Sequence, residues 1–410
     1  MKRNYFLVLL VLLTFFAISF LTNILGPIIP AANQSFDLSL ALSGFLPLSF
    51  FIAYGPTSIP AGYLTERYGA KKVMILGFLA MASGCILFVF FPSFLTYLMS
   101  LFIMGIGMAM LQVVINPLLR TSGGEENFAF FSVMAQLVFG AASYVSPSVY
   151  SYLMNNVPNA TQGVSGFLAS MVPGDMIWTS FYWLCLGIAL VMIVVLVISK
   201  FPTVTLLEDE RVEGFSLVME LFKNKVVIIF FLGIFAYVGI EQGVSVWISK
   251  FLETYHNLDP NVEGADTTGL FWGMQAVGGI LGLLLMKLFD VRKVLGVFVV
   301  AAAAALLLAL FGDVQTVLLA FPAVGFFTSV MYPSVFSLGL NSLPKHHGTF
   351  SGILCTGIIG GAILPFLVGW LGDYVGLKMG MTLVFVALFY LLWIAQTAKP
   401  LVKNKTVFSS

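Results

Sequence analysis

The chain has 410 residues, of which 60% are hydrophobic and 9% charged, with a mean hydropathy of +1.02 and a net charge of +1. That composition excludes an ordinary soluble domain and gives no reason to expect a nucleic-acid partner. A bilayer core about 30 Å thick takes about 20 apolar residues per helix, so the length allows about twelve crossings and little else.

Lys2 and Arg3 precede an apolar run that continues to about Ala32 without a small-residue cleavage site, which reads as a retained first span and not a signal peptide. Hydropathy, punctuated by Gly, Pro and charge, places spans at about 5–32, 39–63, 73–91, 94–119, 128–154, 176–198, 226–252, 268–288, 294–312, 314–340, 349–371 and 378–397. The loop 155–175, rich in Asn, Gly and Pro, reads as a surface loop. Cys85, Cys185 and Cys355 are scattered among these spans and read as small core residues, with no disulfide, metal site or cofactor implied.

Of the 19 Lys and Arg, only Lys250 and Lys378 fall on the side opposite the termini. The positive-inside rule then puts both termini in the cytoplasm and the chain in a bacterial-type inner membrane, with the lipid bilayer as its surroundings. The longest polar interruption on that side, "SKFPTVTLLEDERVEGFSLVMELFKNK", divides the chain into a six-helix bundle over 1–199, a cytoplasmic linker over 200–225 and a second six-helix bundle over 226–410. The fold class expected is an all-α membrane protein of twelve transmembrane helices in two six-helix halves, working as a monomer.

Of the 18 Asp and Glu, 17 fall in loops or at span ends, and the exception is Glu241 in "FAYVGIEQGVSVW". It sits ~22 Å along its helix at 1.5 Å per residue, close to the midplane. An ionised group at that depth costs about 2.5–3.5 kcal/mol or more on insertion scales, and no Lys or Arg lies inside any expected span to pair with it. Three roles are open: a protonated acid bonded across helices, a direct partner of substrate hydroxyls, or the coupling site for H⁺ or Na⁺.

Amides cluster in the same spans. Asn23, Gln112, Asn116, Gln136, Gln242, Gln275 and Asn341 offer hydrogen bonds, while Trp247, Trp272 and Tyr332 offer aromatic faces for sugar C–H groups. Singly, each amide could serve only to join helices, and Trp247 and Trp272 could instead belong to an interfacial belt. Together they favour a polar cavity for an uncharged solute. Pro27, Pro30, Pro117, Pro147, Pro333 and Pro365 interrupt spans, freeing backbone groups and allowing bends. An enzyme is not expected: His256, His346 and His347 lie in loops without metal spacing, and no nucleophile–base pair is readable.

"GYLTERYGAKKV" (62–73) follows span two, and "GLLLMKLFDVRKV" (282–294) follows span eight, with Gly, Leu and basic residues in matching places about half a chain apart. The first copy resembles the signature loop of the major facilitator superfamily, with Glu66 where Asp is usual. Gly62, Glu66, Arg67, Gly69, Lys71 and Lys72 would then form a conformational latch between the halves. "YVGIEQG", "MYPSVFSLGLNSL", "GIIGGAILPFLVGWLGD" and, more weakly, "INPLL" and "MAQ" resemble the fucose:proton symporter and glucose/galactose transporter family. Where the fucose branch carries proton-handling acids in helices one and four, this chain has Asn23 and Gln112. The reading is a secondary transporter importing a sugar or sugar derivative by alternating access, as a symporter with H⁺ or Na⁺. A sugar uniporter and an exporter of small amphipathic compounds remain the alternatives.

Overall fold

The computed structural model describes residues 4–123, 128–201, 214–344 and 346–401. The backbone is almost wholly helical, because in hydrocarbon each N–H and C=O has to find its partner within its own segment. Among the described residues, eleven stretches are long and apolar enough to cross a membrane. They are span one (Tyr5–Phe36), two (Leu40–Thr65), three (Ala70–Phe90), four (Phe94–Ile115), six (Ile177–Ile198), seven (Lys225–Ser245), eight (Pro260–Leu288), nine (Val291–Phe311), ten (Val314–Leu340), eleven (Thr349–Val375) and twelve (Leu377–Thr397). The 29-residue helix Phe128–Asn156 is span five and completes the twelve. A short helix, Gly163–Met171, stands within the expected loop 155–175, and another, Gly214–Leu221, closes the linker.

Several spans are broken where the sequence withdraws backbone donors. Span one runs as Tyr5–Thr22 and Leu25–Phe36. Pro27 has no N–H for the Asn23 carbonyl, and Pro30 has none for Gly26. Span ten breaks at Ser329–Val330, ahead of Pro333, while span eleven turns through Gly357–Ile359 without a proline. Pro365 and Pro147, expected to interrupt spans, lie inside the continuous helices Gly360–Val375 and Phe128–Asn156. Span seven breaks without a proline, at Val246–Trp247, and continues as Ile248–His256. The breaks in spans one and seven meet: a Cβ added to Gly26 would lie 2.5 Å from the Ser245 carbonyl oxygen and 3.1 Å from Val246 Cα. Only glycine permits that approach.

Each half has its own packed interior. In the first, Phe88, Tyr97, Trp178 and Tyr182 form one aromatic cluster joining spans three, four and six, with the two tyrosine hydroxyls 2.5 Å apart. Besides the meeting of spans one and seven, the halves pack most extensively along two seams, spans two with eleven and spans five with eight. At the second seam a Cβ on Gly140 would sit 2.3 Å from that of Ala276.

The start of span one and the end of span twelve share one end of the bundle, the terminal end, where Asn4 N–H bonds to the Ser122 carbonyl and Leu401 N–H to the Asn341 carbonyl. At the opposite end, Lys250 pairs with Glu253 at 2.7 Å, and the Lys378 ammonium lies 5.0 Å from the Tyr255 ring centre, with Phe251 and Phe311 within 6 Å. At the terminal end, Arg292 binds Asp290 at 3.0 Å and donates to the Ala398 carbonyl at 3.2 Å.

Candidate substrate and ion site

Glu241 stands one helical turn after Tyr237, so the two side chains share a face of span seven. The Tyr237 hydroxyl donates to Glu241 Oε1 at 2.6 Å. Gln275 of span eight donates from Nε2 to the same Oε1 at 2.6 Å and to the Tyr237 hydroxyl at 2.9 Å. Both amide hydrogens of Gln275 are thereby used, and Gln275 and Tyr237 donate to the same carboxylate oxygen. Glu241 is half-buried, and among the described residues its bonds are to neutral groups.

The aromatic wall beside it comes from span ten. Tyr332 lies 5.6 Å from Tyr237 between ring centres, and Phe336 stacks on Tyr332 at 5.7 Å. Gln242, 3% exposed, also reaches the Glu241 carboxylate with its side-chain amide, and its Cγ would lie 3.1 Å from a Cβ on Gly361. The arrangement offers a carboxylate held in place by neutral donors and placed to take a proton, a cation or a solute hydroxyl, with two aromatic faces alongside.

The other expected residues are distributed more widely. Asn23 lies at the break of span one, where its Nδ2 donates to Ser143 Oγ at 2.7 Å and to Ser19 Oγ at 3.3 Å, while its buried Oδ1 has no partner among the described residues. Gln112 accepts from the Tyr54 hydroxyl at 3.2 Å, beside the point at Ala53 where span two divides into Leu40–Ile52 and Tyr54–Tyr68. The side chains of Asn116, Gln136 and Glu66 lie outside the described residues.

Three expectations need correcting. Trp247 is fully enclosed, its Nε1 donating to the Pro365 carbonyl at 3.1 Å, so it seals the seam between spans seven and eleven and presents no face to a solute. Trp272 is 2% exposed and packs edge-on to Phe271. Asn341 stands at the terminal end of span ten, its side chain 3.4 Å from Ser337 Oγ and its carbonyl accepting from Leu401 N–H at 2.8 Å. It anchors the C-terminal segment instead of lining a midplane cavity. Tyr237, by contrast, went unread in the sequence, although its position four residues before Glu241 was the available signal.

In the loop 62–73, Lys71 donates to the carbonyls of Val197 and Ser199 at 2.8 and 2.7 Å, capping span six of its own half. The Arg67 guanidinium lies 5.4 Å over the Tyr68 ring.

Residues 11–357 match the family described as Major Facilitator Superfamily. The chain belongs to that superfamily. It is a multi-pass membrane transporter and not an enzyme. Within the superfamily it is 29% identical to the glucose/galactose transporter of Brucella abortus, over 95% of this chain and 93% of that one. It is 25% identical to the L-fucose-proton symporter of Escherichia coli, over 92% and 89% of the two chains. The crystal structure of the E. coli fucose:proton symporter shares the fold, with a TM-score of 0.67 at 22% identity over 96% of this chain and 98% of that one.

Proposed function

We propose that this facilitator imports a sugar or sugar derivative by alternating access, with a cation moving in the same direction. The observation that carries the reading is the Glu241–Tyr237–Gln275 cluster, a carboxylate at mid-span held, among the described residues, by neutral donors. A carboxyl in that setting exchanges a proton, or holds a cation, without the permanent salt bridge that would lock it. The names of the relatives, a glucose/galactose transporter and an L-fucose-proton symporter, support a sugar as solute and a proton as the first ion to test. Na⁺ at the same carboxylate is the second.

In this reading spans one to six and seven to twelve move as two bodies about the solute, joined by the linker 200–225. The termini face the cytoplasm, since all bases but Lys250 and Lys378 lie on their side. Tyr237, Glu241, Gln275 and Tyr332 contact solute or ion, Asn23 and Gln112 face them from the first half, and residues 62–72 act as a latch at the cytoplasmic end. One coupled charge at 100 mV supplies about 2.3 kcal/mol, enough for about 40-fold accumulation. The test is uptake of labelled glucose, galactose and fucose into proteoliposomes, with a pH or Na⁺ gradient imposed separately. Accumulation driven by one gradient is expected. Uptake of a sugar that only equilibrates under both would leave a uniporter, and no sugar uptake at all would overturn the substrate class.

A further inference from the structure

The decapeptide 62–71, "GYLTERYGAK", has a counterpart at the other end of the bundle: 369–378, "GWLGDYVGLK". Both read Gly, aromatic, Leu, any, acid, any, any, Gly, any, Lys. The backbones agree as well. Gly69 has φ 85° and ψ 153°, Gly376 has φ 86° and ψ 149°, and each N–H returns to the carbonyl four residues earlier at 2.9 Å. Each segment thus ends one span and starts the next through the same left-handed glycine cap.

The two copies are engaged differently. In the first, Lys71 is spent on span six of its own half and Arg67 lies over its own neighbour Tyr68. In the second, the acid crosses between halves. Asp373 of span eleven accepts from the N–H groups of Leu40 and Ala41 of span two, at 2.8 Å and 3.0 Å. Ser39 takes the next donor, Leu42 N–H, at 3.2 Å, and Ser43 N–H bonds to the Ser39 carbonyl. The opening donors of span two are therefore completed by a carboxylate from the other half, where the helix dipole also favours negative charge. Gly369, one turn before Asp373, lets span eleven approach: a Cβ there would lie 2.4 Å from the Leu40 carbonyl oxygen.

We infer that residues 369–378 are a second latch, opposite in sense to the first, in which Asp373 holds the non-terminal end of the transporter closed by capping span two. The carboxylate borders a cavity of about 520 Å³ lined also by Asn33, Lys250 and Glu253. Water there rehydrates both Asp373 and the released N–H groups when the halves part, so the contact is reversible. Opening this end breaks the Asp373 cap. The inference needs neither the sugar nor the role of Glu241, and it stands or falls separately from them.

The test is the distance between spin labels at Phe91→Cys in the first half and Met379→Cys in the second, in reconstituted protein whose three native cysteines are replaced. Asp373→Asn keeps the shape and loses the charge. It is expected to raise the ratio of open to closed populations at this end by about tenfold, equivalent to about 1.4 kcal/mol. Ser39→Ala, which removes the helix's own cap and leaves span eleven untouched, is expected to lower thermal stability without moving that ratio. An unchanged distance distribution in Asp373→Asn, or an equal shift in Ser39→Ala, overturns the latch. So does a failure to fold confined to Asp373→Asn, which would assign the residue to the static framework.

Discussion

Gln275 and Glu241, on different helices, meet at 2.6 Å, and both hydrogens of the Gln275 amide are committed to the Glu241–Tyr237 pair. The bond fixes the carboxylate from outside its own helix. A movement of span eight relative to span seven therefore changes the environment of the acid directly, which is how a conformational step couples to an ion.

Glu241→Gln keeps the shape and the acceptor oxygen and removes the titrating group. Solute counterflow across proteoliposomes is expected to persist, while ion-driven accumulation falls from about 40-fold at 100 mV to equilibration. Accumulation equal to that of the parent protein would assign Glu241 to helix joining alone.

Tyr237→Phe and Gln275→Ala each remove one donor to the same oxygen and break their mutual bond. Groups sharing one network are not additive, and an interaction term of about 0.5–3 kcal/mol is expected from a double-mutant cycle on initial rates of driven uptake. Additive losses would mean that the two residues act independently.

Gly26→Ala forces a methyl group toward the Ser245 carbonyl, where backbone has to shift. Overpacking of this kind costs about 1–3 kcal/mol, so a lowered melting temperature and slower uptake are expected. Gly279→Ala is the control, since nothing lies within 4 Å of its added Cβ. Equal behaviour of the two variants would remove the meeting of the breaks from the account.

At the terminal end, hydrogen bonds from Arg292, side chain first and then backbone, hold the Asp290 carboxyl below its usual range. A group whose folded value is depressed contributes stability above its unfolded value, and that contribution is lost as pH falls through the folded one. The pair is partly exposed, so the effect is at most about 1 kcal/mol. Arg292→Ala is expected to flatten the acid limb of a stability-against-pH curve below about pH 4 and leave the alkaline limb unchanged. A change confined to the alkaline limb would contradict the assignment.

The spans were legible because apolar length dominates every other signal in a bilayer. The break in span one was legible too, since Pro27 and Pro30 visibly remove donors. The break at Val246–Trp247 was not, because no proline marks it and it is fixed by packing against Gly26 of another helix. Glu241 stood out by its isolation, and its neighbour Tyr237 only by helical spacing. Trp247 and Asn341 misled because residue type says nothing of which helix face it occupies or how far it stands from the bilayer centre. Their neighbours Pro365 and Leu401, more than fifty residues away in the chain, decide that.

Lys250 and Lys378, the two bases on the side away from the termini, are both held locally, one paired with the Glu253 carboxylate and the other, still charged, over the faces of Phe251, Tyr255 and Phe311. Such cation–π contacts are worth about 0.5–2 kcal/mol each. With Lys250 paired to an acid, the electrostatic difference between the two faces of the folded transporter is steeper than the tally of bases conveys. Anionic lipid headgroups will gather at the end that carries the termini and find, among the described residues, both bases of the other end already in contact with their neighbours.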